Sequence, residues 1–215
     1  MQQSRENNFN IIRLLAALLV IYVHSFAIFK INIDEPIAKV LHSGVSLGEF
    51  AVYVFFIISG YLITASFVRS KSNWHYFKAR LLRIYPGLMA VMLLTAFVVG
   101  PLVSNLDMKT YFQSFQVYLY PFKGIPLVTA TSNLPGVFAD NQYANAVNGS
   151  LWTLFWEFLC YIGVAILGNL KLLTQKVILV LIGSATLVSI LIHFLPQNNF
   201  VVHSLTLVVP MFLAF

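Results

Sequence analysis

A few ionisable side chains fall inside long apolar stretches of this sequence, foremost Arg13 and His24 in the first and Glu157 in a later one. A charge in hydrocarbon is costly, so such residues are functional hypotheses by default. On a helix, Arg13 and His24 come within about 20° of the same face, roughly 16 Å apart along the axis. Ala16, Ala17 and Val20 lie along or near that face and are small enough to admit another helix or a ligand. Counted from Phe9, His24 is about 22 Å deep, hence about 8 Å below the far surface of a core about 30 Å thick. Counted from Leu151 on that far side, Glu157 is about 9 Å down. An imidazole and a carboxylate at one depth could pair, the carboxylate fixing the tautomer and raising the basicity as a general base needs. Plainer readings stand beside this one. Arg13 could snorkel to the near interface, and His24 could be hydrogen-bonded to a neighbouring helix. Glu157 is the hardest to explain structurally.

A second constellation is basic. The stretch Arg69-Ser-Lys-Ser-Asn-Trp-His-Tyr-Phe-Lys-Ala-Arg-Leu-Leu-Arg-Ile-Tyr-Pro86 sets Arg80 and Arg83 three apart, side by side on a helix, with Lys71 and Lys78 nearby. Paired guanidiniums suit phosphate groups. Trp74, Tyr76 and Phe77 could stack on a base or anchor at a membrane interface. Either this loop touches anionic headgroups or it binds a phosphorylated cytosolic ligand such as a nucleotide-bearing coenzyme, and composition does not choose between them.

Other patterns carry less. Gly44-Val-Ser46-Leu-Gly48 fits the hydrolase pattern G-x-S-x-G, but that motif needs a strand-to-helix elbow and here leads into an apolar run. Asn148-Gly-Ser150 fits a glycosylation sequon. His42, His75, His193 and His203 form no ligand pattern, and no metal site is expected. The single cysteine, Cys160, reads as a small buried hydrophobe.

The elements that must hold these residues are membrane helices. Hydrophobic residues make up 59% of the chain and charged ones 9%, against about 25% charged in a soluble domain. Spans are expected near Phe9–Phe29, Leu47–Val68, Gly87–Leu106, Leu151–Gly168, Val177–Leu195 and Phe200–Phe215, an all-α polytopic bundle of about six spans. One set of flanks holds Arg5, Arg69, Lys71, Lys78, Arg80, Arg83, Lys171 and Lys176, the other Lys30, Lys39, Lys109 and Lys123. This bias puts the N-terminus and the Arg69–Pro86 loop in the cytoplasm, and it accounts for the net charge of +6 without nucleic acid. The outer loop, about Asp107–Ser150, is expected to hold a short amphipathic helix near Tyr111–Tyr118 and then irregular chain. The last span stops at Phe215 without a polar flank, which suggests a longer protein.

Four stretches, taken in order, resemble the acyltransferase family 3 membrane enzymes: Arg13-Leu-Leu-Ala-Ala-Leu-Leu-Val-Ile-Tyr-Val-His24, Phe55-Phe-Ile-Ile-Ser-Gly-Tyr-Leu-Ile63, Arg80-Leu-Leu-Arg-Ile-Tyr-Pro86 and Ser150-Leu-Trp-Thr-Leu-Phe-Trp-Glu157. The resemblance implies a bacterial inner-membrane enzyme that moves an acyl group, commonly acetyl, from cytosolic acyl-CoA to a carbohydrate hydroxyl on the far side. It implies His24 as essential for transfer, with Arg13 paired to it, and Arg80 and Arg83 as holders of coenzyme phosphates. Phe55, Phe56, Ser59 and Gly60 are given a packing or pore-lining role, and Glu157 a place in the site. Family members usually carry an acidic residue where Asn10 stands. They have about ten spans, so residues 1–215 would be one membrane acyltransferase domain, incomplete at its C-terminus. An ion or proton path through Arg13, His24 and Glu157, and a non-catalytic membrane protein, are the competing classes.

Overall fold

The structure, a computed structural model, describes residues 8–28, 47–130, 132–141, 144–193 and Val209. The elements are α1 (Phe9–Ile28), α2 (Leu47–Arg69), α3 (Asn73–Leu94), a π-helix (Thr95–Val99), α4 (Gly100–Val103), α5 (Met108–Gln113), α6 (Phe115–Lys123), a 3₁₀ turn (Gly149–Leu151), α7 (Trp152–Asn169) and α8 (Gln175–His193). Among the described residues four helical segments are long and apolar enough to cross a bilayer: Leu47–Arg69, Asn73–Val103, Gly149–Asn169 and Gln175–Ile192. Phe9–Ser25 is a shorter apolar helix. The side chains that face outward along these segments, among them Leu14, Leu18, Ile21, Leu94, Leu179 and Val180, are large and apolar. Such a surface is stable only out of water, against lipid or further helices, and helices satisfy their own backbone there. The chain is thus an all-α, multi-pass membrane protein. The sixth expected span, Val209 excepted, lies outside the described residues, as do His42, His203 and residues 44–46 of the G-x-S-x-G stretch.

The third span differs from expectation. Instead of a loop to Pro86 and a helix from Gly87, the helix begins at Asn73 and runs unbroken to Val103. Ser72, extended at φ −163°, caps it by accepting the backbone N–H of His75 at 3.3 Å, which satisfies one of the orphan donors of a first turn. Pro86 falls inside the helix, a position that membrane helices tolerate better than soluble ones do. The density of Lys and Arg that marked this stretch as a loop belongs to the first turns of the spanning rod.

The described residues fall into two compact units, one of Met1–Val68 with Val164–Phe215 and one of Arg69–Gly163. In the first, glycine permits close packing: a methyl on Gly48 would lie 3.2 Å from Val23 Cγ1, and one on Gly168 would lie 2.0 Å from Phe67 Cε1. Small residues of this kind let membrane helices approach where no hydrophobic force drives them together. Phe9 and Tyr61 meet edge to face at 5.7 Å between ring centroids.

In the second unit the residues that follow the span fold back against it. Asp107 caps α5, accepting the backbone N–H of Thr110 at 3.2 Å. The stretch beyond α6 consists of turns rather than free loop: Ser104 and Val137 form an isolated antiparallel bridge, and Asn105 N–H donates to Gly136 O at 3.0 Å. Val117 and Tyr120 of α6, then Leu127, Leu134, Val137 and Val147, are buried with Ile84, Leu88 and Met92 of α3. The expected amphipathic helix is present as the pair α5 and α6, and the expected irregular chain is packed.

Candidate functional site

In the first unit α1 carries Arg13 and His24 on one continuous helix. Ala16, between them, is buried, and Val23 packs on Gly48, so the flank of their shared face is where α2 approaches. His24 Nδ1 lies 2.8 Å from Val20 O, one turn back. A carbonyl only accepts, so Nδ1 carries the proton and the lone pair of Nε2 faces outward. The tautomer is thereby set by a backbone group of the same helix. On α2, Phe56, Ser59 and Gly60 are buried and Phe55 is half-buried; with Ile63 they form a packed stripe at helical spacing.

The second unit joins residues that the sequence reading kept apart. That reading put the arginines on the cytoplasmic flank and Glu157 near the opposite surface. The Tyr161 hydroxyl donates to Glu157 Oε1. The Tyr161 backbone carbonyl accepts the Tyr76 hydroxyl at 3.1 Å. The Arg80 guanidinium stands 5.9 Å from the Tyr161 ring centroid and 5.8 Å from that of Tyr76. Arg83 is exposed one turn further along α3 and lies within electrostatic reach of Tyr161. The early start of α3 explains the difference. With its first turn at Asn73, Arg80 and Arg83 ride on the spanning rod itself and meet α7 at the level of Tyr161.

The two arginines are therefore not equivalent. Arg80 is half-buried between two aromatic faces, each attractive to a cation through its quadrupole. Arg83 offers its forked donors to solvent. Sequence reasoning weighed Tyr76 only as a possible stacking or anchoring residue and passed over Tyr161. Its signal was the spacing: four residues after Glu157 on a helix, hence on the same face.

At the other end of this unit, the π-helix leaves the Ala96 carbonyl outside the helical ladder, and the folded-back segment bonds to it and to the Thr95 hydroxyl. The Tyr111 hydroxyl donates to Ala96 O at 2.9 Å. Asn148, in the left-handed region at φ 53°, donates through Nδ2 to Thr95 Oγ1 at 2.9 Å and to the Tyr120 hydroxyl at 3.1 Å. Burial pushes the Tyr111 hydroxyl up to about 12 and raises that of Tyr120. Hydrogen bonds from Thr110, first its side chain and then its backbone, hold the Asp107 carboxyl below its usual range. Asn148 of the sequon is thus engaged in tertiary structure just before α7 begins. Among the described residues, His, Cys, Asp and Glu form no group of three or more that could hold a metal ion.

The family model described as "Acyltransferase domain", that of the acyltransferase 3 family, matches residues 6–214. An "O-acetyl transferase" of Shigella phage Sf6 is 36% identical over 165 residues, which cover 75% of this chain and 46% of that protein. "Nodulation protein 10" of Rhizobium leguminosarum bv. viciae is 33% identical over 159 residues, 73% of this chain and 42% of that protein. The chain spans less than half the length of these curated relatives. No solved structure gives a significant match. With nearly its whole length matched, and with the four ordered motifs set on helices, the chain belongs to the acyltransferase 3 family.

Proposed function

We propose that this chain forms part of a membrane O-acyltransferase of the bacterial inner membrane, N-terminus in the cytoplasm, that moves an acyl group, by preference acetyl, from cytosolic acyl-CoA to a hydroxyl of an extracytoplasmic carbohydrate. Membership of the family supports the reaction class. The observation that carries the donor assignment is the Arg80, Tyr161 and Glu157 network beside an exposed Arg83.

In this reading Arg83 meets the coenzyme phosphates first and Arg80, held between Tyr76 and Tyr161, completes the cationic surface. Glu157 fixes the Tyr161 hydroxyl and balances the arginines, a role on the donor side of the site. His24, with Nδ1 on Val20 O, uses Nε2 as general base. It takes the proton of the acceptor hydroxyl while that oxygen attacks the thioester carbonyl. The carbon–sulfur bond breaks, and the His24 imidazolium gives that proton to the leaving thiolate, which restores the base. Arg13 lines the path of the coenzyme arm, and Phe55, Phe56, Ser59 and Gly60 keep α2 packed beside it. Membrane lipid surrounds the spans, and neither a metal nor nucleic acid has a part.

The test is base-labile acetate on surface glycans of the native host, its own copy deleted, making the chain, its His24→Ala variant or neither at matched membrane abundance. Acetate with the intact chain alone supports transfer through His24. Equal acetate from both chains refutes the mechanism. Acetate from neither chain, with no binding of acetyl-CoA by the purified protein, refutes the function.

A further inference from the structure

Helix α6 has three distinct sides. Successive residues turn by about 100°, which sets Leu119, Phe122 and Tyr118 within about 60° of Phe115 around the axis. The same rotation carries Val117, Tyr120 and Pro121 round to the opposite side. This opposite group is buried against the unit. The group around Phe115 is exposed, Phe115 itself at 71% and Phe122 at 62%. Gln116 and Lys123 occupy a strip between the two, roughly a quarter turn from Phe115. A helix in water would turn its polar strip away from its core side; here large apolar side chains stand there, with the polar strip at right angles.

What covers the exposed apolar side is indicated by its neighbours. Tyr118 of that side meets Phe97 of the π-helix, rings tilted with centroids 5.9 Å apart. Phe97 belongs to an outward apolar stripe on the spanning segment Asn73–Val103 that includes Leu93, Leu94 and Val98. That stripe lies on a segment long and apolar enough to cross a bilayer, for which hydrocarbon is the fitting solvent, and the apolar side of α6 continues it. At nine residues, α6 is about 13 Å long and cannot cross a core of about 30 Å. It is pinned in place, with the Tyr118 hydroxyl donating to Phe112 O at 3.1 Å and Tyr120 bonded by Asn148.

We infer that α6 is an in-plane membrane helix. Its Phe115, Tyr118, Leu119 and Phe122 side enters the leaflet at the Val103 end of the third span, while Gln116 and Lys123 lie along the water boundary. The partner is the glycerol and upper acyl-chain zone of that leaflet, where amphipathic helices rest. The inference uses neither His24 nor the arginines and stands whether or not the chain transfers acyl groups.

The experiment uses the full chain with Cys160→Ala and single cysteines at Phe115→Cys, Leu119→Cys, Phe122→Cys or Gln116→Cys, labelled with the fluorophore NBD. The protein is reconstituted in phosphatidylcholine–phosphatidylglycerol vesicles. Labels at 115, 119 and 122 are expected to be quenched several-fold more by lipid carrying a doxyl group high on the acyl chain than by aqueous iodide. The label at 116 is expected to show the reverse. Quenching of the three by iodide alone would overturn the inference in favour of a water-exposed face. Quenching by neither would overturn it in favour of a protein cover, a second copy or further chain. Three positions share the face, so a variant that fails to fold leaves two to decide.

Discussion

Replacing Tyr161 by Phe separates the two things that side chain does. The hydroxyl donates to Glu157, and the ring stands 5.9 Å from the Arg80 guanidinium. A hydrogen bond to a charged group contributes about 1.5–3 kcal/mol net, a neutral one about 0.5–1.5 kcal/mol. Tyr161→Phe should therefore destabilise the protein by about 1.5–3 kcal/mol, while keeping the ring beneath Arg80. For a chain of this size, each kcal/mol is about 2–4 °C in Tm. In a Glu157→Gln background the same replacement removes only a neutral bond, so the two changes should couple by about 1 kcal/mol or more. Thermal unfolding of purified protein in detergent, followed by the fluorescence of Trp74, Trp152 and Trp156, reads the cycle. Additivity within about 0.5 kcal/mol would show that the hydroxyl and carboxylate do not act on each other, and the donor-side role of Glu157 would fall with it. The ring has its own test. Tyr161→Leu should weaken binding of coenzyme A by about 2- to 30-fold, the cation–π share of about 0.5–2 kcal/mol. Tyr161→Phe should change that binding far less.

Arg83→Lys keeps a mobile charge in solvent and should lower coenzyme affinity only a few-fold; Arg80→Lys, losing a planar group held between two rings, should lower it by tenfold or more, measured by titration calorimetry on the reconstituted protein. A methyl on Gly100 would lie 2.1 Å from the Tyr111 hydroxyl oxygen, so Gly100→Ala must expel that side chain. Overpacking and the lost bond to Ala96 O together should cost about 2–5 kcal/mol, partly recovered when Tyr111→Phe is added, as unfolding in detergent will show. The Asp107 carboxyl is held below its usual range by Thr110. Its contribution to α5 is therefore present above about pH 4 and lost as pH falls through the lowered folded value. Amide exchange at Thr110 should accelerate there, and Asp107→Asn, itself a good cap, should abolish the acid transition.

The spans were legible because hydrophobic length alone selects them, and Leu47–Arg69 and Gln175–His193 lie within a few residues of expectation. The start of α3 was not read, because charge density was weighed above the cap at Ser72. The Arg80–Arg83 adjacency followed from spacing. Its connection to Glu157 did not, because it depends on how α3 and α7 align, which no local pattern records. Val20 and Tyr161, each four residues from a candidate site residue, were readable from helical geometry, but an aliphatic and an aromatic side chain in an apolar run look like filler. The packing of residues after Asp107 was hidden for another reason: its hydrogen bonds run from Asn148 to the Thr95 hydroxyl and from Tyr111 to Ala96 O, a carbonyl that a regular helix would have kept in its ladder.

Ala96 O is released because the π-helix at Thr95–Val99 fits one more residue into its turn than an α-helix holds: the Gly100 N–H goes to Thr95 O, and Pro101 after it has no N–H to give. A gene that lost a single codon there would encode a regular helix of the same rise, still apolar and still long enough for the bilayer. Because the π-turn already spends the extra residue on a single turn, the helix beyond it would keep nearly its present facing. Loss of Phe97, Val98 or Val99 would set Pro101 four residues after Ala96, and proline has no N–H, so Ala96 O would stay open to the Tyr111 hydroxyl. Elsewhere in these helices a missing residue shortens the rod by about 1.5 Å and turns every side chain beyond it by about 100°. At this turn the third span would lose a codon and still hold the segment from Asp107 to Asn148, whereas the same loss a turn earlier would face its partners away.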